Sequence, residues 1–98
     1  MSGAPSDWKL VRFLEVMDAW IEREAPDDDT RLVVIDWVMN RYDDPYRGMR
    51  REPGLPNLWY GPVPGTESGD TVVVCSYWIF ESARTVRCND ICALRQPT

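Results

Sequence analysis

The chain has 98 residues, 44% of them hydrophobic, enough for one domain with one modest core and too many for a disordered segment. Its net charge of −5 disfavours nucleic acid as a partner, and the lack of any histidine excludes Ser-His, Cys-His and His-metal chemistry. No apolar run approaches the roughly 18 residues of a membrane span, and no basic region followed by an apolar stretch opens the chain. The reading is a cytoplasmic protein without a membrane partner, and ten arginines against one lysine point to a GC-rich bacterial genome.

In chain order, residues 1–6 are expected to be a flexible N-terminus. Residues 7–24 predict an amphipathic helix, since Leu10, Phe13, Leu14, Met17, Trp20 and Ile21 recur at three- and four-residue spacing. Ser6 or Asp7 would cap it, and Pro26 follows its end. The run Pro-Asp-Asp-Asp-Thr (26–30) then offers an acidic cap for a second helix. That helix carries Leu32, Val33, Val34, Ile35, Trp37, Val38, Met39 and Tyr42, so it is expected to be the more buried of the two. It should stop near Asp43 or Asp44, because Pro45 disfavours helical geometry in the residue before it.

After a connecting turn over 45–56 the period changes to two. The stretch 57–63 predicts a first strand at an edge, because Pro62 cannot donate to a ladder. A flexible connection follows, then Thr71–Phe80 as the central strand, a turn at 81–84 and a third strand to residue 95. The expected fold is a single α+β domain. A helical pair (7–44) packs on one face of a three-stranded antiparallel meander (57–95).

Charge is unevenly distributed. Residues 1–46 hold 11 acidic and 5 basic side chains, a balance of −6; residues 47–98 hold 5 and 6, a balance of +1. The strand half therefore permits an anionic partner without demanding one. Its basic cluster is Arg47, Arg50 and Arg51, placed either to clamp an anion or to pair with Asp43, Asp44 and Glu52. If alternation holds, Arg87 and Asn89 share a face of the third strand, and Ser76 and Trp78 a face of the second. With Tyr60 they would form a polar-aromatic surface away from the helices. Asp90 breaks the alternation and signals a bulge or an inward ion pair with an arginine. Cys75, Cys88 and Cys92 lie in apolar sequence at no standard zinc spacing, and are read as reduced thiols with no metal and no cofactor.

The acidic-acidic-proline step Asp43-Asp44-Pro45 after the second helix, the run YRGMRREPGLPNLWYG (46–61) and the paired strands VVVCSYWIFESARTVRCNDI (72–91) resemble the RelE/ParE toxin superfamily of type II toxin–antitoxin modules. The resemblance covers roughly residues 27–95. It implies an antitoxin or another protein as partner. Ribonucleases of that family cut mRNA in the ribosome, with basic side chains standing in for a histidine pair. Here only Arg95 and Tyr60 match those positions, so the resemblance implies action by binding. The binding candidates are Arg47, Arg50, Arg51, Tyr60, Trp78, Arg87 and Arg95, with no catalytic residue. The leading expectation is a toxin-side protein or an inactive descendant of one. A small non-toxic interaction module, such as a phage or mobile-element accessory factor, is the alternative, and a ribosome-dependent endoribonuclease ranks third.

Overall fold

The computed structural model describes residues 8–95; the expected flexible segment 1–6 and the cap at Ser6 or Asp7 lie outside the described residues. Two helices, α1 (Phe13–Glu24) and α2 (Asp28–Met39), accompany five strands: β1 (Lys9–Val11), β2 (Arg50–Glu52), β3 (Leu55–Pro62), β4 (Thr71–Phe80) and β5 (Thr85–Arg95). They form one mixed sheet in the order β1-β5-β4-β3-β2. The expected three-stranded antiparallel meander is therefore corrected to a five-stranded mixed sheet, with a short strand added at each edge.

The first added strand comes from the start of the expected first helix. Residues 8–17 carry two periods at once: Trp8 and Leu10 alternate with Lys9, while Leu10, Phe13 and Met17 recur at helical spacing. Three residues are too few for periodicity to decide between them. Long-range pairing decides instead, because Lys9, Leu10 and Val11 lie parallel to Thr85, Val86 and Arg87 of β5. Arg12 turns the chain from strand to helix at φ 67, a left-handed conformation that costs a side-chain-bearing residue roughly 1–2 kcal/mol.

The second added strand lies within the expected connecting turn. Arg50 and Arg51 pair antiparallel with Tyr60 and Trp59, and Glu52 with Leu55. The two residues between, Pro53 and Gly54, suit a turn with proline second and a positive φ third, and Gly54 has φ 83. β3 is consequently not the edge strand expected from Pro62; that proline is tolerated because it lies beyond the end of β2 and pairs only with Val74 of β4.

The helices cover one face of the sheet. Val73, Cys75, Tyr77 and Ile79 of β4 and Val86, Cys88 and Ile91 of β5 share a core with Phe13, Met17 and Trp20 of α1 and Val34, Trp37 and Val38 of α2. α2 is not the more buried helix, since Leu32, Ile35 and Met39 are exposed along it. Its cap is as expected: the Asp27 carboxylate accepts the Thr30 N–H at 2.8 Å. The helical turns end in a 3-10 segment, Asn40–Tyr42.

The register of β5 slips between Cys88, opposite Tyr77, and Asp90, opposite Ser76, leaving Asn89 as the extra residue of a bulge. Asp90 pairs with Arg23 at 3.9 Å, but outward, between two half-exposed side chains. Beyond the reach of β1, α1 covers the free edge of β5. Arg23 donates to the Ile91 carbonyl at 2.7 Å, and the Glu24 carboxylate accepts the Ala93 N–H at 3.1 Å.

The connection from β3 to β4 is tied down, not loose. The buried Thr66 hydroxyl donates to the Val63 carbonyl at 2.7 Å and accepts the Val73 N–H at 3.0 Å. Thr66→Val keeps the shape and leaves the Val73 N–H without a partner. It should lower stability by about 1–3 kcal/mol, read as a shift in the urea midpoint with an unchanged slope.

Candidate functional site

The face of the sheet away from the helices carries a groove of about 440 Å³. Val72, Val74, Tyr60, Pro62 and Leu94 make its apolar surface, and Arg50 and Arg95 stand at its borders. Register explains the assembly, since Arg50 lies opposite Tyr60, Tyr60 opposite Ser76, Pro62 opposite Val74 and Val72 opposite Leu94. The loop before β2 is brought close by Gly61. A Cβ there would lie 2.6 Å from the Gly48 carbonyl oxygen and 2.8 Å from Met49 Sδ, so only glycine lets that loop sit against β3 and present Arg50 beside Tyr60.

Of the seven binding candidates, Arg50, Tyr60 and Arg95 come together in this groove. Arg95 is engaged by Asp70 at 3.1 Å, whereas Arg50 makes no ion pair among the described residues. Trp78 and Arg87, directly opposite each other, belong to a separate hollow of about 310 Å³ with Arg12 and Asn89. There the Arg87 guanidinium lies 5.5 Å from the Phe80 ring centre, and the Asn89 amide donates to Ser76 Oγ at 3.0 Å. The expected single polar-aromatic surface is thus two sites on one face. Arg51 pairs with Trp59 on the helix side of the sheet, and Arg47 is held by Asp44 at 3.9 Å. Of the neutralising pairs considered for the arginine cluster, that between Arg47 and Asp44 forms.

Among the described residues no carboxylate, histidine or thiol lines the groove, and the side chains that do are suited to binding. The three cysteines are free thiols; Cys75 and Cys88 are buried and Cys92 half-buried. Among the described residues no group of three or more His, Cys, Asp or Glu is placed to hold a metal ion.

The sequence reading passed over Arg41, which is 3% exposed. It continues the buried stripe of Val34, Trp37 and Val38 at helical spacing, a position where a charged residue is itself a signal. Its guanidinium stacks 4.1 Å from the Trp37 ring centre and donates from Nη1 to the Arg47 carbonyl at 2.9 Å and to the Tyr77 hydroxyl at 3.4 Å. The Tyr77 hydroxyl in turn donates to the Pro45 carbonyl.

No known protein-family model, characterised protein or solved structure matches this chain.

Burial favours the protonated form of Cys75, Tyr46, Tyr77 and the half-buried Cys92. Burial raises the Cys75 thiol well above its ordinary 9.0, pushes the Tyr46 hydroxyl up to about 12 (with its hydrogen bond to Glu81 adding to the effect), and raises the Tyr77 hydroxyl further still. Each folded value lies above its unfolded one, so the unfolded chain loses these protons first. The stability they confer is complete below pH 9 and falls as pH rises from there through 12. Urea midpoints should be level from pH 7 to about 8.5 and drop progressively at higher pH, as followed by tryptophan fluorescence.

Proposed function

We propose that the protein acts by binding a macromolecular partner through the outer-face groove, as the toxin-side member of a toxin–antitoxin pair or an inactive descendant of one. The observation that carries this reading is the pairing of an apolar floor with Arg50, an arginine without an ion-pair partner among the described residues. Such a rim suits a protein segment that brings apolar side chains and a carboxylate together. The resemblance to RelE/ParE toxins over residues 27–95 supports the same reading, and the side chains that line the groove are suited to binding.

The alternative, a non-toxic interaction module, has its own supporting feature in Trp78, whose ring would give contacts largely insensitive to salt. The two readings part in one experiment. Wild type and an Arg50→Ala/Arg95→Ala double variant are each expressed for a growth assay and used in pulldowns at low and high salt. Slowed growth with the wild type and roughly tenfold weaker capture by the variant, the difference shrinking as salt rises, is the expected result. A harmless wild type whose double variant retains every partner removes the toxin reading and directs attention to Trp78.

A further inference from the structure

The helix layer has an apolar face of its own, on the other side of the sheet from the groove of Arg50. α2 buries Val34, Trp37 and Val38. Yet Leu32, Ile35, Met39 and Tyr42 follow one another at spacings of three, four and three residues and are 64%, 42%, 56% and 40% exposed. That spacing draws a second stripe along the helix and its 3-10 extension, about 15 Å long. Exposed apolar residues scattered singly are ordinary, but four in one stripe mark a contact surface. On α1, Leu14 is 72% exposed. A cavity of about 350 Å³ brings Leu14 together with Met39 and Tyr42 over the buried Phe13, Met17 and Val38. Arg12 and Glu15, of opposite charge, also line it.

The charges beside this surface are of one sign. Asp29 precedes Leu32 by three residues and Asp36 precedes Met39 by three, so each carboxylate lies one turn from a member of the stripe. On α1, Asp18 follows Leu14 by four residues. All three are exposed, and none makes an ion pair among the described residues. Helical phase places Asp29 and Asp36 on the solvent side of the α2 stripe and Asp18 on the solvent side of Leu14. The apolar surface is therefore edged by carboxylates on both helices.

We infer that this face docks a helix of a partner protein, apolar along one side and rich in lysine or arginine on its flanks. A helix fits because its own ridge of residues at three- and four-residue spacing matches the stripe, and the cavity receives one of its side chains. Asp18, Asp29 and Asp36 select basic flanks. A second copy laid antiparallel on the stripe would set the same aspartates against each other, and an anionic lipid surface would be repelled by all three. The docking site stands apart from the outer-face groove and does not depend on what that groove binds.

The test uses the whole chain with its methionine methyl groups labelled with carbon-13. Met39 reports on the stripe, and Met49, packed close to Gly61, reports on the outer-face groove. The probe is a three-heptad helical peptide with leucine at a and d and lysine at the flanking positions; its control carries glutamate in place of lysine. The lysine peptide should move the Met39 methyl resonance saturably and leave that of Met49 in place, and the glutamate peptide should move neither. Leu14→Ser/Leu32→Ser, two surface changes, should raise the dissociation constant about tenfold. Asp29→Asn/Asp36→Asn should raise it about fivefold at low salt, with the difference closing as salt rises. The proposal is overturned if the Met39 resonance stays still, if the glutamate peptide moves it equally, or if Leu14→Ser/Leu32→Ser binds as tightly as the wild type. It is equally overturned if Met39 shifts with protein concentration alone, which makes a second copy the occupant.

Discussion

The Tyr77 hydroxyl donates to the carbonyl of Pro45 and accepts from the Arg41 guanidinium, while its ring lies 5.9 Å from that of Phe13 and 6.3 Å from that of Trp37. One side chain from the middle strand thereby touches both helices and the junction that leads into the sheet. The junction is fixed as a consequence. Pro45 is buried, and Tyr46 beside it packs edge-on against Trp8 and Trp59. Trp8 leads into β1 and Trp59 belongs to β3, so the aromatic chain that starts from this junction spans the sheet from one side to the other. A hydroxyl in so enclosed a place must have partners, because burying one unpaired costs more than the bond itself contributes.

Where a segment was long and strongly periodic, the sequence was sufficient to recognise it. β4 and β5 were legible because β4 is a run rich in β-branched and aromatic residues, apolar on both faces, and a short charged turn joins it to a second such segment. Asp90 announced the bulge by falling out of step with Cys88 and Ile91. The two three-residue strands were not legible. Nothing local makes Lys9–Val11 a strand; the partner that does so lies more than seventy residues away in β5. β2 was hidden because its two arginines drew attention as charges, although the Pro-Gly pair after them carried a hairpin signal. The apolar content of α2 misled in the other direction, since a helix against a small sheet has more apolar residues than the core can take in.

The candidate site was partly legible for a related reason. Alternation placed Tyr60, Ser76, Trp78, Arg87 and Asn89 on one face, but it could not say which end of that face each would occupy, and register separates them. Arg41 was invisible to any search for clustered charges, because no other basic residue lies close to it in the acidic half of the chain. The overall acidity likewise conceals the local picture. A chain of net charge −5 presents, at the rim of its outer-face groove, a guanidinium that makes no ion pair among the described residues.

The parallel pairing of β1 with β5 also bears on how the molecule is made. On the ribosome, β1 and both helices emerge before β5, the strand that β1 needs. Until then Trp8 and Leu10 lack their place beside Val86, and the apolar faces of α1 and α2 lack the sheet that buries them. Until β5 is made, the N-terminal half has no complete sheet to pack on, and its acidic balance of −6 opposes its association with other anionic chains. The parallel pairing joins segments more than seventy residues apart, so it cannot form until β5 has been made.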